Sequence, residues 1–257
     1  MNGGLLMTVS QRYRVPVPSV FRFKVQTELS SITLAMAGVG TIDFGDGTSV
    51  LLDTEEHTRI DHTYDAEGVY TVTFTGMLTH IKFYRYVVEV LDRLPSTYTQ
   101  LEDEDMEMFR RSPITHIRED FFWDCPHITS FAGCFRQSHL EEIPEDLFKY
   151  ATAAKSFYAC FSGCTVNEIP FRLFENCVNA ESFDSCFEDC TGTGGITIQL
   201  FDTNTAVTNF SDCFSGWTSL VGYAPILWER PNVTDYELCF SGCTNLTNYA
   251  DIPSDWK

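Results

Sequence analysis

The sequence predicts a β-rich protein in two parts, a small β-sandwich followed by a solenoid of stacked coils of about 26 residues each. Two observations carry this prediction. The first part alternates apolar and polar residues in short segments such as VFRFKVQTE and GVYTVTFTG, which is typical of half-buried strands. The second part repeats its apolar and cysteine positions with a nearly constant period, which is typical of a solenoid.

Composition limits the classes of partner. The chain has 257 residues and a net charge of −19, which argues against binding nucleic acid or an anionic lipid surface. No stretch of about 20 apolar residues is present, so we expect no membrane insertion. The start of the chain does not match a secretory signal, because Arg12 and Arg14 follow its short apolar stretch instead of preceding it. We therefore expect folding in a reducing cytoplasm, where the ten cysteines favour thiols.

The predicted division has four parts. An N-terminal segment covers residues 1–17, and the sandwich covers residues 18–90. An acidic linker or cap covers residues 91–107, and the solenoid covers residues 108–257. The charge run in the linker is expected to form a solvated face beside the cap of the array, and its members are Glu102, Asp103, Glu104, Asp105 and Glu107.

One motif in the first part is specific. TIDFGDGTSV places the tight turn Gly45-Asp46-Gly47 after a strand, and DHTYDAEGVYTVTFTG follows. The sequence favours turn capping for Asp43 and Asp46 over a calcium loop, because the next ligand positions would fall on glycines. The motif resembles the PKD domain, an immunoglobulin-like sandwich, over Ile42 to Phe74. A Trp that usually precedes FGDG in that family is absent, and Ile42-Asp43 stands there.

The second part contains five clear copies of its repeat. One aromatic series recurs once in each copy: Phe122, Phe148, Phe174, Phe201 and Trp228. A Cys-Phe pair recurs in the same way, and its cysteines are Cys134, Cys160, Cys186, Cys213 and Cys239. Met108-Phe109 lies one period before the first pair, so an atypical copy is expected to begin the array. The consensus F..CF.GC..L..IP..LF resembles the BspA-type leucine-rich repeats over about Met108 to Ile252.

The remaining cysteines occupy two interrupted columns. One holds Cys164, Cys190 and Cys243, with Ser138 and Trp217 in the other copies; the other holds Cys125 and Cys177, with Ala151 and Asn204 as equivalents. Incomplete columns argue against zinc, which needs four ligands, so no metal or other cofactor is expected. The sequence favours small buried thiols and leaves open a disulfide bridge between adjacent rungs. No catalytic residue is expected, because a nucleophilic cysteine would be singular and paired with a histidine.

The aromatic residues outside the ladders are the candidates for a receptor-binding surface, because aromatic side chains dominate binding hot spots. We expect this surface to include Trp217, Tyr223, Tyr236, Tyr158 and Tyr150. Trp217 is the most distinctive candidate, because it stands where other copies hold Cys or Ser. Core packing or a cap is the alternative role for this tryptophan.

The combined resemblance implies a function. PKD-like and BspA-type domains together resemble adhesion proteins and phage tail proteins, so we expect a non-enzymatic bacteriophage virion protein, a tail-fibre or tail-tip component. Such a component would be made in the host cytoplasm, contact other tail proteins in the virion, and recognise a host-surface glycan or protein. A fibre role implies a symmetric homo-oligomer, commonly a trimer. The alternatives are a bacterial or protozoan cell-surface adhesin and, further away, a glycan-active enzyme with a carboxylate pair facing a cleft.

Overall fold

The computed structural model describes residues 19–27, 31–83, 85–99 and 106–257. The predicted N-terminal segment and the acidic residues 102–105 lie outside these described residues. Of the predicted charge run, Glu107 is described, and its carboxylate pairs with the Arg110 guanidinium.

The first part of the chain forms a sheet of five strands in the order β3-β2-β4-β1-β5, and every neighbouring pair is antiparallel. The β-rich class is therefore confirmed, whereas the division into two facing layers stays a prediction. The strands are β1 (Ser19–Thr27), β2 (Ser31–Asp43), β3 (Ser49–Thr63), β4 (Gly68–Lys82) and β5 (Val87–Val90).

The alternation in the sequence decides which face of the sheet is buried. Phe21, Phe23 and Val25 of β1 are fully buried, and Phe23 lies opposite the buried Val72 of β4. Successive side chains of a strand point to opposite faces, so the residues between them lie on the exposed side. Burying each such apolar side chain contributes about 1.5–3 kcal/mol, and this fixes the register of β1 on β4.

Glycines allow β2 and β4 to approach closely in the middle of the sheet. Gly38 has φ +139°, and a Cβ atom there would lie 2.2 Å from the Met77 carbonyl oxygen. Gly76 has φ +151°, and its Cβ atom would lie 2.2 Å from the Val39 carbonyl oxygen. The register of β2 shifts beside Gly38, as in a β-bulge, so the ladder bends at this point.

The second part consists of six repeat units, which we number 1 to 6: residues 107–132, 133–158, 159–184, 185–211, 212–237 and 238–257. Each unit has two residues in the left-handed region, with φ between +40° and +81°. The first of them opens the unit, and the series is Glu107, Gly133, Ala159, Ser185, Asp212 and Leu238. The second lies four residues later, and the series is Arg111, Gln137, Gly163, Asp189, Gly216 and Gly242.

This backbone conformation divides the amides of a unit into two sets. The amides of Gly133, Phe135 and Gln137 donate to carbonyls of the following unit or its boundary, whereas those of Cys134 and Arg136 donate within their own turn. The same pattern recurs from unit 1 to unit 5. Isolated parallel bridges link equivalent residues of neighbouring units, as from Ser130 to Ser156 and from Ser156 to Ser182. Two short strands, β6 (Gly195–Ile196) and β7 (Val221–Gly222), pair in parallel between units 4 and 5.

Equivalent aromatic rings stack from unit to unit. In the ladder that contains Phe109, Phe135 and Phe161, neighbouring centroids are 5.2 and 5.4 Å apart and the rings are nearly parallel. This ladder continues through Phe187, Phe214 and Phe240. A second ladder joins Phe122, Phe148, Phe174 and Phe201, and a third joins Phe131, Phe157, Phe183 and Phe210. Phe109, from the pair that the sequence predicts to begin the array, is therefore a member of the first of these ladders.

The sheet and the repeat units share one ladder. Phe83 directly follows β4, lies one period before Phe109, and stacks on that ring at 4.9 Å. Its amide donates to the Met108 carbonyl, as the Phe109 amide does to the Cys134 carbonyl. The ring of Phe83 also packs edge-on against Phe23 of β1 at 4.9 Å. The buried residues of sheet and repeat units consequently form one continuous core.

The other end of the array is covered by the C-terminal residues. Trp256 lies in the 3-10 helix Ser254–Trp256, and its carbonyl accepts the Phe240 amide that would otherwise bond to a further unit. Its indole stacks on Tyr236 at 4.7 Å and is 4% exposed. The remaining short helices are Leu227–Glu229 and Tyr249–Asp251.

Replacing Phe83 with Ala should lower the free energy of unfolding by about 3–5 kcal/mol, because a fully buried ring would leave a cavity in the shared core. Urea unfolding followed by circular dichroism measures this change. Phe171→Ala is the matched control, since that ring is 55% exposed, and it should cost less than about 0.5 kcal/mol. If Phe83→Ala lowered the free energy of unfolding as little as Phe171→Ala does, Phe83 would not be a buried member of the shared ladder.

Candidate functional site

The ten cysteines are all buried, and none forms a disulfide. In the column four residues after the Cys-Phe cysteines, each thiol reaches back to a carbonyl of the preceding unit. Cys164 donates to the Phe135 carbonyl at 2.9 Å, and Cys190 donates to the Phe161 carbonyl at 3.1 Å. Cys243 donates to the Phe214 carbonyl at 3.0 Å. These cysteines therefore act as hydrogen-bond donors between units.

Other residue types take over the same role. Asn204 donates its Nδ2 to the carbonyls of Phe174 and Cys177 at 3.0 and 2.9 Å. Arg230, one period further on, donates to the equivalent carbonyls of Phe201 and Asn204 at 2.6 and 3.1 Å. Arg230 could not be found by aligning the columns in the sequence. Unit 5 has one residue fewer between Trp228 and Tyr236 than the other units have between the equivalent positions, so the alignment places Pro231 in the column instead.

Trp217 does not belong to an exposed surface. Its side chain is fully buried, and its Nε1 donates to the Gly192 carbonyl at 3.2 Å. The indole lies against Gly194, where a Cβ atom would be 1.9 Å from the ring. The expectation that this residue contacts a receptor is therefore wrong, and the alternative of core packing holds.

Burial makes the thiols poor nucleophiles. It raises the pKa of Cys164 to about 11 and that of Cys125, Cys177 and Cys243 to about 12. The pKa of Cys160 is raised well above its usual range, first by burial and then by the neighbouring thiols. Only roughly 0.1% of a thiol with a pKa of 11 is ionised at pH 8. At neutral pH these thiols are therefore mostly protonated and shielded from solvent.

The acidic residues of the FGDG motif cap their turn, as the sequence favours. The Asp43 carboxylate accepts the Gly45 amide at 2.8 Å, and the Asp46 carboxylate accepts both the amide and the hydroxyl of Thr48. The bond from the Thr48 hydroxyl, with His62 at 2.7 Å adding to it, lowers the pKa of Asp46 to about 2. The His62 ring stacks on Phe44 at 3.9 Å.

Metal ligands do not converge in this region or elsewhere among the described residues. No group of three or more His, Cys, Asp or Glu side chains is arranged there to hold an ion. Within the same residues, no helix has the length and apolar character needed to cross a membrane.

The other four predicted aromatic residues reach the surface to different degrees. Tyr223 is 55% exposed and Tyr158 is 39% exposed, whereas Tyr150 and Tyr236 are half-buried. They occupy different positions of the repeat unit. Tyr150 and Tyr158 follow rungs of the second and third ladders, and Tyr223 follows β7.

An exposed tryptophan that the sequence comparison passed over lies beside Tyr150. The rings of Trp123 and Tyr150 are 4.2 Å apart, and the Arg93 guanidinium lies 4.8 Å from the Trp123 ring. Trp123 directly follows a ladder position, so its sequence context indicates core, and only the structure reveals its exposure of 41%.

An ion-pair network joins the linker to unit 1. Asp120 accepts hydrogen bonds from Arg118 at 2.8 Å and from Arg93 at 2.8 Å. The Arg118 bond, more than the Arg93 bond, lowers the pKa of Asp120 to about 2, although partial burial opposes the shift. Asp92 of the linker pairs with Arg22 of β1 at 2.8 Å. A groove of about 620 Å³ opens between these groups at the junction.

A second open groove crosses one side of units 1 to 3. Its volume is about 650 Å³, and apolar residues of the two Ile-Pro segments lie along it. Its four carboxylates are those of Glu141, Glu142, Glu145 and Glu168. None of the four forms an ion pair within the described part of the chain. We call this feature the lateral groove.

Phe171 stands at the end of the lateral groove and also lines a smaller groove of about 250 Å³ between units 3 and 4. The sequence analysis missed Phe171, because Phe-Arg-Leu-Phe resembles a core segment. A comparison of the copies contains a signal, since the equivalent residue of unit 2 is the charged Glu145. A position that accepts glutamate is expected to face solvent.

Native protein at pH 8 should react with Ellman's reagent at fewer than about one thiol per chain within minutes, because the thiols are buried and protonated. In guanidinium chloride without reductant, all ten cysteines should react. Metal analysis of the same sample checks for zinc. Fewer than ten thiols after denaturation would indicate disulfides, and stoichiometric zinc would contradict the structural role of the columns.

Replacing Asp120 with Asn should lower the free energy of unfolding at pH 7 by about 1 kcal/mol, since two partly exposed ion pairs are lost. The folded-state pKa lies below the unfolded value of about 4, so this stabilisation is present above pH 4 and is lost as the pH falls towards about 2. Urea unfolding at pH 7, 4 and 3 measures the difference. Glu229→Gln, at an exposed carboxylate, is the control. A difference that grows on acidification would contradict the network.

Comparisons with known proteins add no relative to this description. No protein-family model, curated protein or solved structure matches the chain. The function must therefore be argued from the geometry of its own residues.

Proposed function

We propose that the chain is a non-enzymatic virion protein of a bacteriophage, a tail-fibre or tail-tip component that recognises the host surface. The observation that carries the proposal is the shared ladder, in which Phe83 at the end of the sheet stacks on Phe109 of unit 1. A sheet joined in register to a stacked array is a stiff extended body. Such a body is suited to presenting binding surfaces at a distance from an attachment point.

The finer description of the fold belongs to the same proposal. We take the sheet to be an immunoglobulin-like, PKD-like sandwich, and the packing of its motif supports this. Tyr64 of the HTY segment donates its hydroxyl to the Phe44 carbonyl at 3.0 Å, and its ring stacks on Tyr70 at 4.0 Å. The FGDG and HTY segments thus lock together around one buried tyrosine.

We take the second part to be a leucine-rich-repeat solenoid of the BspA type. Parallel bridges between equivalent residues and ring stacks at every step support this reading. The charge of −19 and the inert thiols fit a binding protein better than a catalyst. Host receptor, neighbouring tail proteins and a trimeric or other homo-oligomeric assembly are further parts of the proposal.

Two measurements test the proposal. Mass spectrometry of purified virions from the source that carries the gene should detect the chain among the tail proteins. The labelled full chain should also bind whole host cells or a glycan array, and Tyr223→Ala should weaken that binding about 10-fold while leaving the fold intact. Trp228→Phe, at a half-buried ladder position, is the matched aromatic control and should leave binding unchanged.

Three outcomes would contradict the proposal. Absence from virions together with presence on a cell surface would favour an adhesin. Release of oligosaccharides from a bound polysaccharide would indicate a glycan-active enzyme. Absence of binding to any cell or glycan would remove the recognition role.

A further inference from the structure

Units 3 to 5 carry four exposed apolar side chains at or within two residues of one repeat position. Phe171 is 55% exposed, and Ile198, one period later, is 40% exposed. Tyr223 and Ile226 of unit 5 are 55% and 40% exposed. The β6–β7 pairing sets Ile196 opposite Gly222, so the residues that follow each strand are neighbours across units. We call these four residues the apolar shelf.

The lateral groove continues the apolar shelf towards the sheet, because Phe171 belongs to both. Ile143, Pro144 and Pro170 extend the apolar surface into the groove. The Ile-Pro pairs recur one period apart, so successive units repeat this surface. Proline carries no amide hydrogen, which leaves this floor with fewer backbone donors than a strand would offer.

Charge complementarity indicates what covers this surface. Some acidic side chains of the array pair with cations of the same chain, as Glu175 does with Arg172 and Glu181 with Lys155, but the chain has 36 acidic and 17 basic residues, so many carboxylates have no such partner. The four glutamates of the lateral groove have no such partner among the described residues. Unpaired carboxylates beside an apolar floor attract cationic groups and repel anionic ones.

We propose that the lateral groove and the apolar shelf together form a docking surface for a basic polypeptide segment of another protein, one in which arginine or lysine alternates with apolar side chains. The cations would pair with Glu141, Glu142 and Glu168, and the apolar side chains would cover Phe171 and Ile198. An extended segment suits the geometry, because the lateral groove crosses units 1 to 3. This assignment concerns a protein partner and shares Tyr223 with the proposed receptor-binding role, so its test changes other residues.

The test uses the full chain and a fluorescein-labelled probe peptide, acetyl-GRLRLRLRG-amide, followed by fluorescence anisotropy in low salt. Changing Glu141, Glu142 and Glu168 together to Gln should weaken binding about 10-fold, whereas a variant of equal net charge on β3, with Asp53→Asn, Glu55→Gln and Glu56→Gln, should change it less than about 2-fold. Thermal unfolding checks that both variants fold.

The apolar part of the surface has its own matched pair of variants. Phe171→Ala should weaken binding about 5-fold, and Tyr158→Ala, at an exposed aromatic residue that lines neither groove, should not. A probe with citrulline in place of arginine should bind at least about 10-fold more weakly than the charged probe.

Two outcomes would overturn the proposal. Equal losses in the groove variant and the β3 variant would show that the probe follows net charge alone. The chain itself has two arginines and no acidic residue in positions 1–17. If Arg12→Ala with Arg14→Ala tightens probe binding, the occupant of the groove is the chain's own N-terminal segment and not another protein.

Discussion

The hydrogen bonding of the repeat backbone is the constraint on which the rest of the array depends. In units 1 to 5, the amides that do not bond within their own turn donate to carbonyls about one period away along the chain, on the following unit, its boundary or the preceding unit. A buried amide without a partner is costly, so each unit is stable only against a neighbour. The two left-handed residues per unit create this alternation, and alanine, serine, aspartate and leucine accept that conformation in different copies. The strain at each position is offset by the bonds it makes possible.

The same constraint fixes the aromatic ladders and the polar columns. Equivalent backbone atoms one unit apart bring equivalent rings to 5.2–5.5 Å along the ladder that starts at Phe109. Backbone carbonyls recur at the same spacing, and in several units a side-chain donor of the next unit bonds to them. Cys164, Asn204, Arg230 and Trp217 share no size or charge, but each donates to a carbonyl of the preceding unit. Several positions of the two interrupted columns therefore hold a donor that need not be a thiol, although Ala151 shows that a donor is not required in every copy.

Periodicity made much of the array predictable, including the ladders and the first rung at Phe109. It could not identify Phe83 as an earlier rung, because that residue follows a strand whose alternation has a period of two. Trp217 was misjudged for a different reason. A large side chain in a column of small ones indicates a protrusion, but Gly194 of the preceding unit provides the space that the indole fills. The lateral groove could not be predicted from the sequence, since its residues come from three units that only the fold brings together.

The side chains that could react or bind a partner are distributed unevenly between the interior and the surface of the molecule. The groups most able to react, the thiols, are buried and bonded within the array, and the turn carboxylates hold their own backbone. The arginines at the junction are occupied by aspartates. Among the groups that face solvent without an ion-pair partner in the described part of the chain are the glutamates of the lateral groove on units 1 to 3, which have apolar side chains beside them. Because one ladder runs from the sheet through every unit, the orientation of that groove is fixed relative to the sheet. A partner bound at the lateral groove would therefore be held at a defined angle to the sheet.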